Sequence, residues 1–71
     1  MTKAALDAKA ALVTQIQTVL RAARDDRNGA KLREGNVLML SDAFMRLPLE
    51  SQADLQALYR EAFRAVSGAF A

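Results

Sequence analysis

The stretch PLESQADLQALYREAFRAVSGAF, from Pro48 to Phe70, decides the fold, because its apolar residues recur at steps of three and four. At about 100° of rotation per residue, such steps place side chains on one stripe of an α-helix. The stripe comprises Leu55, Leu58, Tyr59, Ala62, Phe63, Val66 and Phe70, and the opposite side carries Glu50, Asp54, Ala57, Arg60, Glu61 and Arg64. The stretch therefore predicts an amphipathic helix that packs against another apolar surface.

The ends of this helix are marked by residues that interrupt helices. Pro48 disfavours helical backbone at the preceding residue and suits the first position of a new helix. The last helix is therefore expected to begin between Pro48 and Gln52. The pair Ser67-Gly68 marks its C-terminal end, with Phe70 beyond it.

A second long helix is predicted at the other end of the chain, from Thr2 to about Arg27, since no glycine or proline occurs before Gly29. The pair Asn28-Gly29 suits a left-handed C-terminal cap. The apolar face of this helix is formed by Ala5, Leu6, Leu12, Val13, Ile16, Val19, Leu20 and Ala23. This face supplies the surface that the last helix needs.

The middle of the chain combines a polar stretch with an apolar stretch. Residues 25–35 are predicted to form a polar connection, and Asn36 is expected to cap a short helix from Val37 to Leu47. An alternative is a small hairpin around residues 34–36, although the apolar run that follows lacks the alternation of a strand. One face of the short helix is predicted to contain Val37, Leu40, Phe44 and Leu47, and further apolar residues around it are Leu38, Met39 and Met45.

Length and composition favour a single all-α domain over residues 1–71. The predicted architecture is two long helices in an antiparallel hairpin with a short apolar helix between them. Three glycines and one proline are few for a strand-rich small domain. A chain of 71 residues buries too little surface for two cores, and it has no cysteine for a disulfide. Association with a second chain is the remaining means of stabilisation.

The residue inventory does not favour catalysis. Histidine and cysteine are both absent, so the commonest acid–base, nucleophilic and metal-binding groups are missing, and no cofactor is expected. The adjacent carboxylates Asp25 and Asp26 lie beside Arg24 and Arg27, which suits solvated charges at a helix end. The apolar runs are too short to span a membrane, and the sequence predicts a cytoplasmic protein.

The apolar excess of the middle segment points to protein binding. Leu38 and Met45 could simply pack between the long helices. The functional hypothesis places them on a surface that meets another protein or a second copy, since methionine adapts well to such surfaces. The predicted partner-binding residues are Leu38, Met39, Met45, Arg46 and Tyr59. The sequence thus predicts a homodimeric adaptor, inhibitor or chaperone-like subunit.

An alternative function is a small dimeric DNA-binding transcriptional regulator. Half of the ten basic residues fall within thirteen positions, and they are Arg21, Arg24, Arg27, Lys31 and Arg33. Such a cluster could neutralise backbone phosphates. The acidic residues Asp25, Asp26 and Glu34 are mixed into it, and the net charge of the chain is only +2. Protein binding is therefore the favoured hypothesis.

Overall fold

Four helices make up the computed structural model, which describes the backbone of residues 3–68 and the side chains of residues 7–68. They are α1 (Lys3–Asp26), α2 (Gly29–Met39), α3 (Asp42–Met45) and α4 (Leu49–Gly68). Within this range there is no strand, so the predicted all-α class is confirmed and the hairpin alternative is wrong. The long helices α1 and α4 pack against each other, and the two shorter helices lie between them along the chain.

Helix α1 ends in a left-handed residue, as expected, but one position earlier than the predicted pair. Arg27 has a φ of 52°, and the backbone N–H of Asn28 donates to the carbonyl of Ala23 at 3.0 Å. This bond to a carbonyl five residues earlier is a feature of the Schellman motif at helix C-termini. A non-glycine residue therefore takes the strained position, and Asn28 and Gly29 are available to the next helix.

Asn28 begins helix α2 immediately after α1 has ended. Its backbone is extended, and its side-chain Oδ1 accepts hydrogen bonds from the backbone N–H groups of Ala30 and Lys31 at 3.0 and 3.3 Å. The N-cap predicted at Asn36 is therefore wrong, because Asn36 lies inside a helix that has already begun. The predicted helix from Val37 to Leu47 is likewise replaced by the end of α2 and the single turn of α3.

Gly35 allows α2 to approach α1 closely. A Cβ atom built at Gly35 would lie 2.5 Å from Cδ2 and 3.2 Å from Cγ of Leu20, and 3.6 Å from Cγ1 of Val19. Leu20 is fully buried, so its side chain has little freedom to move aside. The backbone of α2 thus occupies space that any larger residue at position 35 would need.

The turn between α3 and α4 is held by a buried amide. Ser41 caps α3 by accepting a hydrogen bond from the backbone N–H of Phe44 at 3.3 Å. At the other end of α3, the Nε2 of Gln52 donates to the carbonyls of Met45 and Leu47 at 3.1 and 2.8 Å. Gln52 thereby satisfies two carbonyls at the end of this short helix, and it connects the turn to the first turns of α4.

The directions of the helices follow from contacts at the two ends of the molecule. A Cβ built at Gly29, just after α1, would lie 3.8 Å from Cγ1 of Val66, near the end of α4. The other end of the path, α3, borders the N-terminal half of α1. Helix α4 therefore runs in the same direction as α1, and α2 runs antiparallel to both. The two long helices were expected to be antiparallel, but the antiparallel pair is α1 with α2. The reason is that residues 29–39 run back along α1 as a helix.

The core lies between α1, α2 and α4 and is closed by α3. Its buried apolar side chains are Ile16, Leu20, Ala23, Leu32, Phe44, Leu47, Leu55, Ala62 and Val66. The sequence pattern of α1 and α4 predicted most of them. Phe63 is the exception, with 51% of its surface exposed. The predicted core positions Ala5, Leu6 and Phe70 lie outside the described side chains.

Candidate protein-binding surface

The five residues predicted to bind a partner differ in their exposure. Leu38 and Met39 are half-buried and pack against the core. Met45 and Arg46 are exposed at the end of α3. Tyr59 is half-buried on α4, where its ring centroid lies 6.3 Å from that of Phe63. Met45 and Arg46 are therefore the more accessible of the five, the other three also contribute to packing, and the binding role of all five stays a prediction.

Two residues that were predicted to share a face with Phe44 and Leu47 are also exposed. Val37 and Leu40 have 62% and 75% of their surface exposed, and Met45 has 66%. Val37 and Leu40 are three residues apart at the end of α2, a spacing that brings side chains together. Helix α3 then follows directly along the chain. We call Val37, Leu40, Met45 and Arg46 the α2–α3 surface.

Val37 is exposed because a different side of α2 faces the core. Once α2 begins at Gly29, the steps from Leu32 to Gly35 and Met39 define its buried side. Val37 then falls on the opposite side of the helix. The spacing was present in the sequence, but Gly35 has no side chain and gives only a weak hydrophobic signal for a core position.

An open groove adjoins the α2–α3 surface, and Arg46 borders it. The groove has a volume of about 550 Å³ and lies between the N-terminal half of α1 and helix α3. Its walls are formed by Ala8, Lys9, Ala11, Leu12, Gln15, Ala43 and Arg46. The three alanines leave this part of the surface low and apolar, so a side chain of another molecule could enter.

Some of the described charged residues near the α2–α3 surface form ion pairs, and others do not. Lys31 and Glu34 form an ion pair at 3.5 Å on the outer side of α2. Asp42 lies in the first turn of α3, where the helix dipole favours a carboxylate. Among the residues that the structure describes, Arg33 and Arg46 have no acidic partner within ion-pair distance. The unpaired charge around the surface is therefore mainly positive.

The basic residues of the DNA-binding alternative lie where α1 ends and α2 begins. Arg24 donates to Asp25 at 3.0 Å, and Lys31 pairs with Glu34 as described above. Within the described range, the remaining three arginines of the cluster form no ion pair, and they are Arg21, Arg27 and Arg33. The cluster is thus partly neutralised by its own acidic neighbours.

The structure shows no arrangement for metal or membrane chemistry in the residues it describes. No three His, Cys, Asp or Glu side chains come together there in a way that could hold a metal ion. Among the same residues, no helix combines the length and apolar character needed to span a bilayer. Asp25, one of the two adjacent carboxylates, is already bonded to Arg24.

The described residues form a small all-α fold with exposed apolar side chains at the end of α2 and in α3. Comparison with known proteins does not narrow that class further. The chain has no significant match among models of protein families, curated protein sequences or solved structures.

Proposed function

We propose that the protein is a small protein-binding module, an adaptor, inhibitor or chaperone-like subunit, which associates with itself and presents the α2–α3 surface to another protein. The observation that supports this proposal is the exposure of Val37, Leu40 and Met45 within nine residues of one another. A chain of 71 residues has few large apolar side chains for its core. Three of them are nevertheless exposed within one nine-residue segment, and we infer that a partner covers them.

The partner that fits this surface is an amphipathic helix with acidic side chains beside its apolar stripe. An apolar stripe would cover Val37, Leu40 and Met45, as in other helix-in-groove contacts. The carboxylates would meet Arg33 and Arg46, which have no acidic partner among the described residues. Arginine also suits the rim of an interface, where its stem packs and its guanidinium stays partly solvated.

The module would act by occlusion. Covering a helix of the partner blocks other contacts of that helix or changes how the partner assembles, and neither effect needs a chemical step. Methionine at the centre of the surface would allow several related helices to be accommodated, because its side chain is flexible and unbranched. This mode of action is consistent with a chain that lacks histidine and cysteine.

Site-specific photo-crosslinking tests the α2–α3 surface directly. A benzophenone amino acid is introduced at Met45 in the producing cell and, as a matched control, at Asp54, which is exposed on α4. We expect a cross-linked protein from position 45 and none from position 54. The captured protein, once purified, should bind the chain at least tenfold more weakly after Met45→Glu, because a charge then replaces about 2 kcal/mol of apolar burial.

Two results would contradict this proposal. Equal cross-linking from positions 45 and 54 would show that capture does not depend on the α2–α3 surface. Unchanged affinity of the purified partner for the Met45→Glu chain would show the same. Cross-links formed only between copies of the chain would replace the external partner with self-association at this surface.

The DNA-binding alternative is supported by the three arginines at the junction of α1 and α2 that form no ion pair with any described residue. It requires affinity for duplex DNA that falls steeply as salt rises, since neutralised phosphates release counterions. Fluorescence anisotropy with a labelled duplex measures this dependence. Absence of binding at low salt would eliminate the alternative and leave the protein-binding proposal unaffected.

A further inference from the structure

Helix α4 carries a second stripe of regularly spaced residues that faces away from the core. Its core side is formed by Gln52, Leu55, Tyr59, Ala62 and Val66. About 110° round the helix, another series is exposed along its whole length. This outer stripe consists of Leu49, Ala53, Gln56, Arg60, Phe63 and Ser67. Its alternating steps of four and three residues are the spacing that keeps two helices in contact along their length.

The two large apolar residues of the outer stripe lie near its ends. Leu49 has 81% of its surface exposed and Phe63 has 51%, although both belong to a regular helix. Between them lie Ala53, Gln56 and Arg60, of which only Ala53 is small. Each end of the stripe has one bulky and one small residue, Leu49 with Ala53 and Phe63 with Ser67. A reversed copy of the helix can therefore place each large side chain against a small one.

The charged neighbours of these residues have the same reversed complementarity. Glu50 follows Leu49 and Arg64 follows Phe63, so an acid lies near one end of the stripe and a base near the other. Both side chains are exposed, and neither forms an ion pair with any residue that the structure describes. Glu50 and Arg64 are each seven residues from Ala57. Turning a second copy around an axis near Ala57 therefore brings opposite charges together twice.

We propose that two copies of this chain form a two-fold symmetric dimer through antiparallel contact of their α4 outer stripes. In this arrangement Phe63 of each copy packs over Ala53 of the other, and Glu50 of each copy faces Arg64 of the other. A second copy is the occupant because Glu50 and Arg64, placed evenly about Ala57, can pair twice in an isologous contact, and other partners impose no such symmetry. The inference rests on the self-association included in the proposed function, and it gives that association a face separate from the α2–α3 surface.

Light scattering over a dilution series tests the dimer. The wild-type chain should show twice the protomer mass of 7.7 kDa. Phe63→Glu and Leu49→Glu should each give the protomer mass with unchanged far-UV circular dichroism, because both side chains are exposed in the protomer. The matched control is Met45→Glu, which places the same charge on the α2–α3 surface and should leave the dimer intact.

Charge reversal tests the antiparallel register. Glu50→Arg alone and Arg64→Glu alone should each weaken dimerisation about tenfold, since every substitution occurs twice in a symmetric dimer and turns attraction into repulsion. The double variant restores opposite charges and should return to within about threefold of wild type. A double variant as weak as the single variants would overturn the register.

The remaining outcomes separate this inference from the wider proposal. A wild-type chain with the protomer mass at every concentration would overturn both the outer-stripe dimer and the proposed self-association. A dimer that survives Phe63→Glu and Leu49→Glu but dissociates in Met45→Glu would overturn the outer stripe alone. In that case self-association would belong to the α2–α3 surface.

Discussion

Leu20→Ala is expected to lower the free energy of unfolding by about 3 kcal/mol. Leu20 is fully buried at the closest approach of α1 and α2, and the glycine opposite it offers no side chain that could fill the space. The variant therefore loses apolar contacts and retains a cavity. Since domains of this size are stable by only about 4–10 kcal/mol, the loss is a large fraction of the total. Urea unfolding followed by circular dichroism measures it.

Leu40→Ala is the matched control for this prediction. It makes the same chemical change at a leucine with most of its surface exposed, at the C-terminal cap of α2. We expect a change of at most about 0.5 kcal/mol, as for other exposed positions. Equal losses at positions 20 and 40 would show that α2 packs on α1 through a different side.

Gly35→Val is expected to destabilise the fold by about 2–3 kcal/mol, even though valine favours helix more than glycine does. The added Cβ alone would lie 2.5 Å from a carbon of Leu20, and the two methyl groups extend further. Helix α2 must then move away from α1 or distort. The midpoint of urea unfolding, compared with that of wild type, gives the magnitude.

A double variant that combines Leu20→Ala with Gly35→Val tests whether Leu20 is the cause of this effect. With the obstructing leucine side chain gone, the valine introduced at position 35 should fill part of the cavity and restore stability relative to Leu20→Ala alone. The two substitutions would then show a favourable coupling of at least about 1 kcal/mol. Additive losses in the double variant would mean that position 35 is restricted by something other than Leu20.

Helices α1 and α4 could be predicted from the sequence because local signals and tertiary packing agree there. Each has a long apolar stripe, and Pro48 and Gly29 mark boundaries close to those observed. Phe63 departs from this pattern. It lies on the edge of the stripe, where the geometry of the neighbouring helices decides whether a side chain is covered.

The middle of the chain could not be predicted because local and tertiary signals conflict there. Glycines at 29 and 35 argue against a helix by intrinsic propensity, but both lie in α2. Gly35 is there because Leu20 occupies the space that a Cβ would need. Asn28 and Asn36 have the same capping chemistry, and only the left-handed turn at Arg27 selects the first.

The residues of the α2–α3 surface differ from the predicted partner-binding residues because the start of α2 was predicted wrongly. Because α2 already begins at Gly29, its buried side is set by Leu32 and Gly35. Leu38 and Met39 then pack inward, and Val37 faces outward. Met45 and Arg46 stayed exposed because α3 is a separate turn held by Ser41 and Gln52. The general expectation of surplus apolar surface in the middle segment was correct, but its members had to come from the structure.

In the proposed function Met45 lies on a binding surface and contributes little to the core, whereas its neighbour Phe44 is 3% exposed and belongs to the core. The most direct measurement is the free energy of unfolding of Met45→Glu beside that of Phe44→Glu. We predict that Met45→Glu stays within about 0.5 kcal/mol of wild type and that Phe44→Glu loses more than about 3 kcal/mol. Loss of the helical signal in Met45→Glu, or a destabilisation equal to that of Phe44→Glu, would place Met45 in the core and contradict its place on the α2–α3 surface.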